Sequence, residues 1–196
     1  HAQLPGLRTG VTLAGRHDRI DKLVVYGKDR TPREKPLPPP PTLAEIFKLA
    51  RQRDPQLEAL ARDFLLRQVP AEKGFSQETQ IARRVAGRMS GYSHPVMTLT
   101  GSGNQGIFIA LPYRRLYAEQ GPSILPAVVF SLLAQVHLSA KNSRLSADCG
   151  LATKAAPALA AGLAFARGAG PADILRIFRA IPARLEGLAC EGAEPA

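Results

Sequence analysis

The chain has 196 residues, 45% of them hydrophobic and 21% charged, a balance that supplies enough apolar mass for a buried core and argues against disorder. Its formal charge is +10, but the basic residues are dispersed, with Arg83–Arg84 and Arg114–Arg115 as pairs, and no long basic run is interleaved with aromatics, so nucleic-acid binding is disfavoured. Two cysteines are too few for a disulfide-stapled secreted scaffold, and the Pro-interrupted or Ala-rich apolar stretches at 122–138 and 151–166 read as buried helices, not membrane spans.

In chain order, Val11 to Ala14 and Lys22 to Tyr26 are β-prone runs separated by a polar segment, which predicts a β-hairpin within residues 1–28. An isolated hairpin is marginal in water, so this one is expected to belong to a larger sheet. Residues 29–41 end in four consecutive prolines, Pro38 to Pro41, and predict a stiff, non-helical linker. Thr42 followed by Glu45 forms a capping-box pattern opening a helix whose Leu43, Ile46, Phe47 and Ala50 share one face.

Helical patterns continue over 55–69 and 76–89, where Ser76 and Thr79 sit among good helix formers. Past a glycine-rich loop, 124–140, 146–168 and 170–190 again read as helix, the last with Asp173 in its first turn and Ile174, Ile177, Phe178 and Ile181 as an apolar stripe. The expected class is α+β: an N-terminal β-hairpin followed by a mostly α-helical domain over 42–196.

The loop "TLTGSGNQGIFIALP" at 98–112 carries Gly101, Gly103 and Gly106 in the spacing G-x-G-x-x-G. A dinucleotide fingerprint needs a preceding strand, a following helix and an acidic residue about 20 positions on. Residues 122–140 hold no Asp or Glu, and no second β-run follows. No Gly-Lys-Ser or Gly-Lys-Thr closes a Walker loop either. Glycines that open the backbone, with Ser102, Asn104 and Gln105 as neutral donors and acceptors, suit a small carboxylate held at a helix N-terminus. A tight structural turn without a ligand is the alternative.

The elements "PVMTLTGSGNQGI", "RLSADCG" and "LEGLACEGAEP", in this order and spacing, resemble the cysteine desulfidase and L-serine dehydratase α-type family of oxygen-sensitive 4Fe-4S lyases. The "TLAEI" helix start and the hairpin before it also resemble the desulfidase-like branch, so the resemblance covers nearly the whole chain. It implies β-elimination on a small amino acid: L-cysteine gives sulfide, ammonia and pyruvate, and L-serine gives water in place of sulfide. It also implies a 4Fe-4S cluster held by three cysteine thiolates, with one open iron acting as a Lewis acid.

Carried onto this chain, the resemblance puts Cys149 and Cys190 on two cluster ligands. Ser102, Gly103, Asn104, Gln105 and Gly106 fall on the loop that holds the substrate. The family's third cysteine would fall beyond Ala196, so a larger polypeptide, a homo-oligomer or a partner chain is expected to supply missing elements. A cytoplasmic location, with no membrane partner, completes the expectation.

Three positions depart from the pattern. Ala86 stands where the family commonly has Asp, Leu132 where it commonly has His, and Glu191 where it has Asp. Such exchanges remove polar chemistry while leaving a fold intact, so a non-catalytic relative acting as a scaffold or interaction subunit is the competing expectation. His94, beside the glycine loop, is the candidate catalytic acid or base near neutral pH, with a simple turn residue as the alternative. His137 reads as packing or surface. Lys141 and Arg144 read either as neutralising charges for a cluster or carboxylate or as solvated helix ends.

Overall fold

A computed structural model describes residues 2–4, 7–13, 20–31, 38–68, 74–91, 96–141 and 148–185. The chain divides into two compact units, His1–Pro39 and Pro40–Ala196.

The first unit is an antiparallel four-stranded meander in the order β1 (Ala2–Leu4), β2 (Leu7–Leu13), β3 (Ile20–Val25) and β4 (Lys28–Asp29). The predicted hairpin is its central pair, with Thr9 opposite Val25, Val11 opposite Leu23 and a bulge between Thr12 and Leu13. The first strand of that pair begins four residues earlier than the apolar run, because backbone pairing does not require apolar side chains. The outer strands are too short to leave a periodic signal. Tyr26 and Gly27, at φ 50° and 74°, make the two-residue turn that folds β4 back on β3, as their left-handed conformations require. The Thr31 hydroxyl accepts from the Leu23 backbone N–H at 3.0 Å and ties down the chain leaving the sheet. Asp29, read as the start of the linker, thus closes the sheet instead.

The second unit is helical. In α1 (Leu43–Gln52), Thr42 caps the first turn and the Glu45 carboxylate accepts from the Thr42 backbone N–H at 2.7 Å, the reciprocal pair predicted. Ile46, Phe47 and Ala50 are buried. Arg53, at φ 52°, ends α1. Asp54 then accepts from the N–H groups of Gln56 and Leu57 and, with Pro55 in the first turn, starts α2 (Pro55–Leu66). Ser76 caps α3 (Gln77–Met89), a helix with no buried residue.

Then follow α4 (Gly103–Gln120), a 3₁₀ turn over Gly121–Ile124, and α5 (Leu125–Lys141). After these come a π-helical turn at Leu151–Ala155, α6 (Ala156–Ala166) and α7 (Pro171–Arg184). The π turn is a departure from the uniform helix predicted there; it re-aims one turn of backbone, a feature that recurs at functional sites.

Helix α5 is the hub, packed against α1, α2 and α6. At the centre Phe47 meets Phe130 edge-on at 5.1 Å between centroids, and Phe130 stacks on Phe165 at 4.8 Å. The stretch Gly103–Lys141 is apolar enough by length and composition to pass for a membrane span, yet more than half of its most apolar part is buried inside the protein. The turn at Gly121–Ile124 divides it into two core helices. The Tyr113 hydroxyl on α4 lies 2.8 Å from Ser131 Oγ on α5 and donates to the Ala127 carbonyl at 3.1 Å; Ser131 in turn donates to the Ala158 carbonyl on α6 at 2.9 Å. Polar groups in a Trp-free core are thereby satisfied where three helices meet.

Candidate functional site

The glycine loop is a turn feeding a helix, with no strand among the described residues 96–102 that lead into it. Residues 96–98 are irregular, and Leu99 and Ser102 exchange two backbone hydrogen bonds, at 3.1 and 3.0 Å. Between them Thr100 and Gly101 both have positive φ, 49° and 88°, so the second position of the turn suits glycine. Ser102 then caps α4, its hydroxyl accepting from the Gln105 N–H at 3.4 Å. The dinucleotide reading fails on geometry as it did on sequence.

Each later glycine answers a packing demand. A Cβ at Gly106 would collide with the Met97 carbonyl oxygen. That carbonyl also accepts from Gln68 Nε2 at 2.8 Å, and Arg114 on α4 holds the Gln68 and Leu65 carbonyls at 2.6 and 3.3 Å. The loop is thus fastened to the C-terminal end of α2. At Gly103 a Cβ would lie 2.6 Å from Arg88 Nε and 2.9 Å from Val96 Cγ2, so the glycine lets an arginine of α3 come down on the first turn of α4.

The predicted loop residues divide their roles. Asn104 faces α3: its Oδ1 accepts from Arg88 Nη1 at 3.1 Å and its Nδ2 lies 3.2 Å from Met89 Sδ. Gln105 turns inward, 9% exposed. Its Oε1 is bonded by Gln135 Nε2 and lies 3.4 Å from Thr100 Oγ1. A Cβ on Gly150 would collide with its Nε2. The N–H groups of Gly103 and Asn104 stand at the open end of the helix, where no intrahelical carbonyl reaches them. With Arg88 beside them, they make a donor-rich, positive end of α4.

Gly150 follows Cys149, so Gln105 brings the glycine loop and the first predicted cysteine together. Cys149 carries a free, half-buried thiol. Its carbonyl accepts from the N–H groups of Ala152 and Thr153, both at 3.0 Å, and from the Thr153 hydroxyl at 3.2 Å, fixing the turn that launches the π segment. Lys154 on that segment is buried, 3% exposed. Among the described residues no group of three or more His, Cys, Asp or Glu side chains converges.

His94 and Cys190 lie outside the described residues, as does Arg144. Lys141 is an exposed helix end. His137 is a packing residue: its Nδ1 lies 2.8 Å from the Pro41 carbonyl oxygen and its ring stacks on Phe178. Ala86 is exposed on α3, and Leu132 packs against the core. Sequence reasoning missed Arg88, Gln68, Thr100, Gln135, Ser139 and Lys154. A signal existed for two of them, since Gln135 is the one amide in "VVFSLLAQVHL" and Lys154 the one charge in "GLATKAAPALAAG".

The serine dehydratase alpha chain family matches residues 44–196, which takes in the glycine loop, the Cys149 turn, α1 from its second residue and all of α2 to α7. The chain belongs to the serine dehydratase alpha chain family. Among curated proteins, a UPF0597 protein of Oleidesulfovibrio alaskensis is 36% identical over 110 residues, 55% of this chain and 26% of the relative. Another, from Fusobacterium nucleatum, is 38% identical over 110 residues, again 55% and 26%. A UPF0597 protein of Fervidobacterium nodosum is 27% identical over 206 aligned positions, covering 94% of this chain and 50% of its own length. The chain therefore spans between about a quarter and a half of the length of these relatives. No solved structure matches it.

Proposed function

We propose that this chain carries the substrate loop and part of the cluster site of a 4Fe-4S-dependent lyase that performs β-elimination on L-cysteine or L-serine. A lyase-type activity is the plain expectation of a serine dehydratase alpha chain relative. The observation that carries the finer reading is the juxtaposition of Gln105 in the glycine loop with the Cys149–Gly150 turn.

The donor chemistry fits an iron-sulfur cluster as far as the chain's own residues go. Cys149 offers a free thiol on a turn held by three hydrogen bonds to its carbonyl, and Cys190 is the second cysteine of the sequence. A three-thiolate set takes its third member from another segment or subunit. When bound, the cluster supplies an open iron that polarises the departing β-substituent as a Lewis acid.

The protein's own part is binding and proton handling. The Gly103 and Asn104 N–H groups, the Arg88 guanidinium and Gln105 Nε2 hold the substrate carboxylate, which fixes Cα and Cβ next to Cys149. His94 is the candidate to take the Cα proton. The Cα–H pair then forms the new double bond as the Cβ–S or Cβ–O bond breaks, and water converts the resulting enamine to pyruvate and ammonia. Sulfur as the leaving atom is preferred, from the desulfidase-like form of the loop. Assembly with a second copy or a partner chain, in the cytoplasm, belongs to the same reading.

Anaerobic reconstitution with iron and sulfide, followed by metal analysis and pyruvate detection with L-cysteine and with L-serine, tests this. Bound iron that is lost in Cys149→Ser, together with pyruvate formation, is the expected result. A folded chain that takes up no iron and forms no pyruvate favours the second reading, a non-catalytic scaffold, for which the apolar Ala86 and the core-packed Leu132 are the specific support.

A further inference from the structure

Among the described residues, Lys154 is the one charged side chain in the buried set, 3% exposed on the π turn Leu151–Ala155. The elimination chemistry above makes no use of it. Lysines are almost never buried this far, because taking an ammonium out of water is costly. A buried lysine five residues from a predicted cluster cysteine therefore calls for an account.

Its place follows from one helix face. Gly150, Lys154, Ala158 and Gly162 recur every four residues, so they share a face of the π turn and α6. That face is pressed onto α4 and α5. Toward one end, a Cβ on Gly162 would collide with Ser131 Oγ and the Tyr113 hydroxyl, and the Ala158 carbonyl accepts from Ser131 at 2.9 Å. At the other end, a Cβ on Gly150 would collide with the Gln105 amide. Three of the four positions are Gly or Ala, as so close an approach demands. The fourth is Lys154, one turn from Gly150. A long side chain on a helix leans back over the turn that precedes it. For Lys154 that is the Cys149–Gly150 turn, where the glycine leaves room beside the glycine loop. The amides of Gln105 and Gln135, bonded to each other on the inner side of that loop, carry no charge in either orientation.

We infer that Lys154 is a substrate-binding residue: its ammonium reaches over Gly150 to the inner side of the glycine loop and holds the carboxylate of the amino acid from within. This rests on the amino-acid reading of the loop and adds to it a buried cation, a counterpart to the exposed Arg88 on α3. An ammonium has three donors, so a contact within the fold still leaves it able to take a carboxylate oxygen. The two cations differ in one measurable respect. Salt screens an exposed charge such as Arg88 and acts much less on a buried one such as Lys154.

The test uses the full chain, with L-serine and its carboxylate-free analogue serinol as probes. In wild type carrying ¹³C- and ¹⁵N-labelled lysine, the side-chain ammonium and ε-carbon signals of Lys154 shift with L-serine and stay in place with serinol at equal concentration. By calorimetric titration, Lys154→Met, close in volume, binds L-serine roughly tenfold to a hundredfold more weakly than wild type, the scale of one lost charge-assisted hydrogen bond. That loss persists at high ionic strength. If Lys154→Met fails to fold, the wild-type lysine signals decide the matter. Unmoved Lys154 signals in a wild type that binds L-serine, undiminished affinity in a folded Lys154→Met, or a loss that vanishes at high salt each overturn the role of Lys154 and leave the reading of the loop standing. A wild-type chain that binds neither L-serine nor L-cysteine overturns the amino-acid reading, and the role of Lys154 with it.

Discussion

Arg88 Nη1 on α3 donates to Asn104 Oδ1 on α4 at 3.1 Å, pinning a guanidinium over the first turn of a helix whose leading N–H groups are free. Two positive features, the cation and the helix end, are thus held side by side. That arrangement repels itself unless an anion neutralises it.

Arg88→Ala is therefore expected to weaken L-serine binding by roughly threefold to tenfold, the worth of a charge-assisted contact discounted for its exposure. The loss should shrink as salt is raised, because the guanidinium is solvent-facing. Titration of wild type and variant at low and high ionic strength checks both points. Equal affinities at low salt would remove Arg88 from the site.

Gly106→Ala tests the close approach beneath the loop. The new methyl would collide with the Met97 carbonyl, which Gln68 also holds. Overpacking of this kind costs about 1–3 kcal/mol, read as a lowered urea midpoint. A variant as stable as wild type would show that Met97 can retreat and that the loop is not tightly fastened to α2.

Tyr113 supplies a prediction at alkaline pH. Burial pushes its phenol well above the usual value near 10, against a smaller opposing effect of the Ser131 hydroxyl. The unfolded chain ionises first, so the stabilising contribution is complete below pH about 10 and is lost as pH rises from there toward the raised value. Between pH 9 and 11 the wild type should lose stability more steeply than Tyr113→Phe. At pH 7 the variant should be about 1–2 kcal/mol less stable, from the lost hydroxyl contacts to Ser131 and Ala127. Parallel pH slopes would contradict the assignment.

The capping box of α1 works at the other end of the pH scale. The Thr42 backbone N–H, and secondarily its hydroxyl, hold the Glu45 carboxyl below its usual range. Its contribution is present above the ordinary glutamate value and fades as pH falls through the lowered one. Thr42→Ala should cost about 1 kcal/mol at neutral pH. Glu45→Gln should flatten the acid limb of a stability profile between pH 6 and 3; an unaltered limb would mean that the box contributes nothing in solution.

Much of the helical unit was legible in the sequence because its signals are local. Thr42 and Glu45 need only each other to start α1, and the three-and-four spacing of Ile46, Phe47 and Ala50 needs only helical geometry to form a buried face. The same holds for Asp173 and Ile174 in α7. The edge strands Ala2–Leu4 and Lys28–Asp29 escaped notice because two or three residues carry no periodicity. The π turn at Leu151–Ala155 escaped because its composition is that of an ordinary helix.

By itself the sequence determined the α+β class, the starts of α1 and α7 and the glycine loop with its cysteine contexts, since all of these are properties of neighbouring residues; that the loop opens directly into α4 at Gly103 was not among them. Tertiary structure decided what the loop faces. Arg88 reaches Asn104 across 16 positions, Gln135 reaches Gln105 across 30, and Gly150 meets Gln105 across a still longer stretch. No pattern along the chain encodes those meetings. They follow from α3, α5 and the turn before α6 each packing where its apolar surface is buried, and the polar side chains of the site are carried along to the places that packing leaves them.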